Sequence, residues 1–160
     1  MKSILAMAKN RCIGKDGKLP WHFKDELRWF KELTVGHALL VGRKTFEGLP
    51  PLKNRDVWVL TRETWSKMMI RRITNQYGCD GYEYTLDMLT DCNKDELNDL
   101  WVCGGKSVYE FMLPSIDEFY VTHLNDEFEG DTFMAPFEHL YKNAERIKEF
   151  DFGYVIKYSK

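Results

Sequence analysis

The 160-residue sequence has no excess of either charge, because 23 lysines and arginines oppose 25 aspartates and glutamates and leave a formal net charge of -2. A broad electrostatic grip on nucleic acid normally requires a basic domain, so we expect no nucleic-acid partner. Long hydrophobic runs are also missing: one of the longest, 38–41, is far below the roughly 20 residues of a membrane span. The first residues show no signal-peptide pattern, since Lys9, Asn10 and Arg11 follow a short apolar stretch. We therefore expect a cytoplasmic protein without a membrane segment.

Cysteine is scarce, and its spacing excludes the common zinc and redox motifs. The four cysteines, at positions 12, 79, 92 and 103, form no CxxC pair, and the four histidines are equally scattered. Buried or free thiols fit this distribution better than a disulfide framework. No metal site is predicted.

Nothing in the sequence divides the chain into parts. It contains no internal repeat, no low-complexity tract and no linker rich in glycine, serine or proline. A composition with 44% hydrophobic and 14% aromatic residues excludes disorder as the dominant state. The length is typical of one domain with a substantial core, so we expect a single domain over residues 1–160.

Short apolar runs alternate with helical patterns along most of the chain. This rhythm is typical of an α/β fold, with a mainly parallel sheet covered by helices on both faces. In the last segment, 145–158, the apolar residues Phe152, Tyr154, Ile156 and Tyr158 stand at alternate positions. This predicts antiparallel pairing with 116–124 and a bulge or bend at Gly153. The expected fold is a single mixed sheet flanked by helices, with strands at 3–8, 38–41, 57–60, 100–103 and 119–123 and helices at 24–33, after Gly42, at 86–90 and at 106–113.

One carboxylate of the first predicted helix points in an unusual direction. At about 100° per residue, Glu26 falls among the apolar side chains of segment 23–33, whereas Asp25 and Glu32 lie at or beyond the edge of that arc. Burial raises the pKa of a carboxyl group towards the range useful for acid chemistry. On this pattern alone, a structural glutamate at the rim of the core with a salt-bridge partner remains an alternative.

Two predicted strands end in glycine and lead into helices that begin with basic and hydroxylic residues. Gly42-Arg43-Lys44-Thr45 follows the strand at 38–41, and Gly104-Gly105-Lys106-Ser107 follows the strand at 100–103. The N–H groups at a helix start attract phosphate oxygens, and glycine lets the backbone approach a ligand closely. The two turns together predict a bound pyrophosphate. The distance from Gly36 to Gly42 does not fit a Walker A loop, which disfavours a phosphate-loop nucleotidase.

Thr61 and Arg62 follow a third strand at the same edge of the predicted sheet. If a dinucleotide lies there, Arg62 is placed to meet a 2'-phosphate and to favour NADP over NAD. A simple surface arginine is the alternative.

Several short motifs occur along the chain in a specific order and spacing. They are Ile13-Gly14, Leu19-Pro20-Trp21, Glu26 with Leu27 and Phe30, the segment 41–46, Leu52, Arg55, Gly104-Gly105 with Val108-Tyr109, the segment 120–123 and the segment 129–132. In this order and spacing, they resemble the dihydrofolate reductase family. The resemblance spans residues 4–132, and residues 63–99, including Trp65, Met68, Met69 and a turn region at 79–84, match none of it.

The resemblance implies NADPH-dependent reduction of 7,8-dihydrofolate to tetrahydrofolate, in support of one-carbon metabolism and thymidylate synthesis, by a monomer. It implies that Glu26 binds the pteridine and assists protonation of its N5 atom. Thr122 is expected to hydrogen-bond the Glu26 carboxylate, Trp21 to order a nearby water, and Arg55 to hold a carboxylate of the substrate's glutamate tail. The implied substrate-binding residues are Ala6, Leu19, Glu26, Leu27, Phe30, Leu49, Leu52, Arg55 and Thr122.

The same resemblance implies the cofactor site. Residues 13–21 are expected to form a loop that closes over nicotinamide and is steadied by Asp131, and the Gly104–Gly105 peptide bond is expected to be cis. The implied NADPH-binding residues are Ala6, Ile13, Gly14, Gly42, Arg43, Lys44, Thr45, Thr61, Arg62, Cys103, Gly104, Gly105, Lys106, Ser107, Val108 and Tyr109.

Two other functions are compatible with the same fold. One is a reductase acting on a pyrimidine or flavin precursor, and the other is a non-catalytic NADP-binding or scaffold protein. The set of Trp21, Glu26, Phe30 and Arg55 favours the folate enzyme over the related reductase, and retention of Glu26 and Arg55 disfavours the scaffold protein.

Overall fold

A computed structural model describes residues 1–62 and 70–160, and one open sheet dominates them. Within this part of the chain, nine strands lie in the order β10-β11-β8-β1-β7-β3-β4-β6-β5, while β2 and β9 pair separately. All neighbours from β8 to β6 run parallel, and both edges of the sheet are antiparallel. The strands are β1 Lys2–Met7, β2 Cys12–Gly14, β3 Ala38–Gly42, β4 Asp56–Leu60, β5 Arg71–Thr74, β6 Asp80–Tyr84, β7 Trp101–Val102, β8 Glu118–Leu124, β9 Thr132–Phe133, β10 Asn143–Phe150 and β11 Gly153–Ser159.

Helices cover both faces of this sheet, as the alternating pattern predicts. Helix α1 packs Phe30 and Leu33 against Ile4 and Leu39 on one face. The opposite face presents Leu40 and other buried residues to the helices that follow β6 and β7. The helices are α1 Lys24–Thr34, α2 Arg43–Glu47, α3 Leu86–Asp91, α4 Lys94–Asp99 and α5 Lys106–Met112, with short 3-10 turns at Leu113–Ser115 and Glu138–Leu140.

The C-terminal strands are antiparallel, but their arrangement differs in detail from the expectation. Of the two C-terminal strands, only β11 pairs with β8, and β10 lies on the far side of β11. The expected bulge at Gly153 is wrong, because the register shift falls in β10, between Arg146 and Lys148. Gly153 opens β11 opposite Leu124, and a Cβ atom there would clash with the backbone oxygen of His123. Glycine is therefore required at this position by a close backbone approach.

The segment that matches no motif contains a hairpin and a helix that were not predicted. Residues 79–84 are not a turn region, because β6 occupies Asp80–Tyr84 and pairs antiparallel with β5. Helix α4 begins at a capping box in which Asn93 and Glu96 each bond the other's backbone N–H. Trp65, Met68 and Met69 lie outside the described residues. Among the residues that are described, no helix has the length and hydrophobicity needed to cross a membrane.

Candidate active site

Glu26 is a buried carboxylic acid on helix α1, which packs on the sheet face that contains Ile4 and Leu39. Its exposed fraction is 6%, and no other described residue donates a hydrogen bond to its carboxylate. Burial raises the pKa of Glu26 from 4.5 to about 7, because an apolar environment disfavours the charged form. The neighbouring Asp25 is exposed and lies 3.5 Å from Arg28. The helical pattern therefore identified the inward carboxylate correctly, and no described residue forms a salt bridge with Glu26.

Two further polar groups are buried on the same face of the sheet. Thr122 is 1% exposed and Trp21 is 8% exposed. Within residues 1–62 and 70–160, neither the Thr122 hydroxyl nor the Trp21 indole N–H has a hydrogen-bond partner. The expected hydrogen bond from Thr122 to the Glu26 carboxylate is therefore not formed in this structure. Thr122 stands in register with Ala6 of the neighbouring strand β1, and Ala6 packs in one cluster with Trp21. Because unpartnered buried polar groups are costly, a polar ligand or water would be stabilised here.

Several of the expected substrate-binding residues lie on α1 or pack near it. Leu19 and Leu27 expose 47% and 43% of their surface. The Arg55 guanidinium lies 5.8 Å from the centre of the Phe30 ring and donates a hydrogen bond of 3.4 Å to the hydroxyl of Thr34. Phe30 and Thr34 both lie on α1, so this helix connects Arg55 to Glu26. Leu49 and Leu52 are half-buried and pack against the β3–β4 part of the core.

The two glycine turns lie side by side, as the sequence predicts. The backbone N–H of Gly42 donates a hydrogen bond of 2.8 Å to the carbonyl of Gly104. A Cβ atom on Gly42 would lie 3.0 Å from Val108, and one on Gly105 would lie 3.1 Å from the Thr45 hydroxyl, so glycine permits this close approach. The Gly104–Gly105 peptide bond is cis, as the resemblance implies.

The remaining expected cofactor residues frame these turns. Lys44, Lys106 and Ser107 are exposed, and the Tyr109 hydroxyl donates a hydrogen bond of 2.7 Å to the carbonyl of Ile4. At the end of the neighbouring strand β4, Thr61 is half-buried and Arg62 is exposed. Cys103 is half-buried, and burial raises its pKa above the usual range.

Arg43 has an acidic partner that sequence reasoning did not find. Its guanidinium donates a hydrogen bond of 2.7 Å to Glu83, whose side chain is only 3% exposed. Glu83 lies on β6, where Tyr82 and Tyr84 occupy the other face of the strand. An acidic residue between two tyrosines was the available signal, but its arginine partner is 40 residues away in sequence.

Residues 13–21 are fastened at their start to the segment that contains Asp131. Strand β2 pairs with β9, and the backbone N–H of Asp16 donates a hydrogen bond of 2.8 Å to the Asp131 carboxylate. Asp131 in turn donates from its backbone to the carbonyl of Gly14 at 3.1 Å. Ile13 is buried at this junction. The structure thus places Asp131 where the resemblance expects it.

An open, mainly parallel sheet with adjoining glycine turns and a buried, protonatable carboxyl group defines a class of protein. It is the class of α/β enzymes that hold a phosphorylated ligand beside a proton donor.

Comparisons with known proteins identify the family within this class. A family model described as dihydrofolate reductase matches residues 1–153. The dihydrofolate reductase of Bacillus subtilis (strain 168) is 38% identical over 136 residues, covering 84% of this chain and 75% of that protein. That of Staphylococcus aureus is 32% identical over 139 residues, covering 84% and 77%. A solved structure of the Enterococcus faecalis dihydrofolate reductase, complexed with NADP(H) and RAB-propyl, is similar with a TM-score of 0.75 and 28% identity, covering 99% of this chain and 95% of that one. The chain belongs to the dihydrofolate reductase family.

Proposed function

We propose that Glu26, Trp21 and Thr122 deliver a proton to the pteridine while this chain reduces dihydrofolate with NADPH. The observation that carries the proposal is the burial of Glu26, which raises its pKa to about 7. At neutral pH a substantial fraction of such a carboxyl group keeps its proton, and a group with that pKa is well suited to general acid catalysis. The unpartnered Thr122 hydroxyl and Trp21 N–H provide hydrogen-bonding positions for the acid, the substrate or a bridging water.

The residues present fit the cofactor. The backbone of Gly42 and Gly105 forms a cradle in which a Cβ atom would meet Val108 or Thr45 at about 3 Å, and the exposed Lys44 and Lys106 stand beside it. We assign these turns, together with Arg43, to the phosphate groups of NADPH, and Arg62 to its 2'-phosphate. When bound, NADPH supplies the hydride for the reaction.

The remaining steps belong to residues of this chain. The exposed side chains of Leu19 and Leu27, with Phe30, Leu49 and Leu52, bind the apolar parts of the folate, while Arg55 pairs with a carboxylate of its tail. Segment 13–21, attached to Asp131, limits the access of water to the cleft. Fixing the reactants in this way supplies orientation, and Glu26 holds the proton that completes the reduction at N5.

We also propose that residues 1–160 act as a single domain and as a monomer in the cytoplasm, without a nucleic-acid partner. All four cysteines are free thiols, which suits a reducing compartment. The edge strand β10 carries charged residues at half of its positions, and charged edges disfavour strand pairing between molecules. The net charge of -2 offers no broad basic surface.

The test is spectrophotometric. Purified protein is mixed with NADPH, and the absorbance of the reduced nicotinamide is followed with and without dihydrofolate. We expect consumption of NADPH that depends on dihydrofolate and is blocked by a diaminopyrimidine antifolate. Turnover of a pyrimidine or flavin precursor instead would favour the related reductase, and NADPH binding without any turnover would favour the scaffold protein.

A further inference from the structure

The hairpin formed by β5 and β6 contacts helix α2 at both of its ends. Helix α2 has five residues, which is too short to be stable without tertiary contacts. At its start, Arg43 is bonded to the buried Glu83 of β6. One residue before the end of α2, Phe46 packs so closely on Gly81 that a Cβ atom on Gly81 would lie 2.7 Å from the ring.

At the end of α2, the contact is made by Asn75 in the hairpin turn. Its side-chain NH2 group donates hydrogen bonds of 2.5 Å to the carbonyl of Phe46 and 2.8 Å to the carbonyl of Leu49. Its side-chain oxygen accepts from the backbone N–H groups of Tyr77 and Cys79, both at 3.0 Å. Both donors and both acceptor positions of the amide are therefore used. The NH2 group faces α2, whereas the oxygen organises the hairpin's own turn.

The carbonyl of Leu49 belongs to the connection between the two ligand sites. Helix α2 begins in the cofactor turn at Gly42, and Leu49 and Leu52 follow its end. The Leu49 side chain packs on the same cluster as Phe46, Val57 and Cys79. A bond to the Leu49 carbonyl thus fixes the backbone from which this pocket side chain projects.

We propose that Asn75 is a positioning residue for the substrate pocket, acting through its two hydrogen bonds to the 46–49 backbone. The proposal rests on the assignment of Leu49 to dihydrofolate binding made above. Asn75 touches neither ligand in this account. It affects the affinity for dihydrofolate by holding Leu49 in place. The cofactor turn is held by other contacts, Arg43–Glu83 and Gly42–Gly104, and should not depend on Asn75.

The variant Asn75→Asp distinguishes the role of the side-chain NH2 group from that of the side-chain oxygen. The aspartate keeps an oxygen that accepts from Tyr77 and Cys79, but its second oxygen faces the carbonyls of Phe46 and Leu49 and repels them. Since each lost hydrogen bond weakens a contact by up to about tenfold, we expect the KM for dihydrofolate to rise about three- to tenfold. The kcat and the Kd for NADPH should remain within about twofold of the original values, because a binding contact away from the reacting atoms is lost equally in the ground state and the transition state. Asn75→Ser, which is too short to reach α2, should behave in the same way without a new charge.

Asp80→Asn is the matched control within the same hairpin. The Asp80 carboxylate bonds Thr74 and Arg72, both at 2.6 Å and both in β5, and within the described part of the chain it makes no hydrogen bond or ion pair with α2. This variant weakens the hairpin without freeing Leu49, so its KM for dihydrofolate should be unchanged even if thermal unfolding shows a loss of stability. Equal increases in KM for Asn75→Asp and Asp80→Asn would overturn the proposal, as would a stability loss in Asn75→Asp with KM unchanged. Failure of both Asn75 variants to fold would also overturn it, since Asn75 would then serve folding rather than positioning.

The variant Leu49→Ala tests the premise that Leu49 binds dihydrofolate independently of the role of Asn75. An increase in KM for Leu49→Ala with no effect of Asn75→Asp would reject the role of Asn75 alone. No effect of Leu49→Ala would remove Leu49 from the substrate pocket and reject the premise. If the account is right, the double variant should be no worse than Leu49→Ala by more than about twofold, because residues that act through one another are not additive.

Discussion

Replacing Glu26 by glutamine should stabilise the ligand-free protein at neutral and alkaline pH. The carboxyl group of Glu26 has a pKa of about 7 in the folded protein against an ordinary value of 4.5. Each unit of pKa difference between the folded and unfolded states corresponds to about 1.4 kcal/mol. Ionising Glu26 therefore costs the folded state about 3 kcal/mol relative to the unfolded state. Glutamine keeps the shape of the side chain and cannot ionise.

The sign of the effect follows from proton binding. Below the unfolded pKa, the carboxyl group is protonated in both states and contributes no pH dependence. Between 4.5 and about 7, unfolding releases a proton from Glu26, so its contribution to the free energy of unfolding falls as the pH rises. Above about 7 both states are ionised and the loss is complete. The stability of Glu26→Gln relative to the original protein should therefore increase across this window and level off above it.

The assay is urea unfolding without ligands, from about pH 5 to about pH 8, for the original protein, Glu26→Gln and Asp25→Asn. Asp25 is an exposed neighbour on the same helix and serves as the control for losing one charge. We expect the difference between Glu26→Gln and the original protein to grow with pH towards about 3 kcal/mol, and that for Asp25→Asn to stay nearly constant. A pH-independent difference for Glu26→Gln would refute the raised pKa and with it the role of Glu26 as an acid.

Two further predictions concern the ligand sites. Arg55→Lys should raise the KM for dihydrofolate about tenfold and leave the Kd for NADPH unchanged, because lysine keeps the charge but cannot form the paired hydrogen bonds of a guanidinium with a carboxylate. The Kd is measured by fluorescence titration, and an equal loss of NADPH affinity would show that Arg55 does not act on the substrate alone. Gly105→Ala should weaken NADPH binding severalfold with little change in the KM for dihydrofolate, because the added Cβ atom meets the Thr45 hydroxyl at 3.1 Å; unchanged NADPH affinity would mean that the cofactor does not lie in this turn.

The parts of the fold that could be predicted from the sequence are those in which the spacing of apolar residues within one strand or helix shows which side is buried. Strands β1, β3, β4 and β8 are short apolar runs, and helix α1 has an apolar arc that contains Glu26. The acid could be found because the direction of a helical side chain follows from its position in the sequence alone. The adjacent glycine turns could be found because parallel strands end at one edge of the sheet.

The β5–β6 hairpin could not be predicted in this way. Strand β5 is largely exposed, and β6 presents Gly81 and Glu83 on one face and Tyr82 and Tyr84 on the other, so neither strand has a clear apolar alternation. The roles of Glu83 and Asn75 depend on partners 40 and 26–29 residues away, at Arg43 and at 46–49. Contacts of this range are fixed by tertiary packing, and no local pattern encodes them. The same reason explains why β10 lies beyond β11 instead of beside β8.

The central claim, that the buried acid of α1 assists the reduction, is tested most directly by turnover. The measurement is kcat with saturating NADPH and dihydrofolate at neutral pH for the original protein, Glu26→Gln and Asp25→Asn. General acid assistance is typically worth about 10²- to 10⁴-fold, so Glu26→Gln should lose at least about 10²-fold while keeping its affinity for NADPH, and Asp25→Asn should lose little. Near-normal turnover by Glu26→Gln, or a greater loss in Asp25→Asn, would contradict the account.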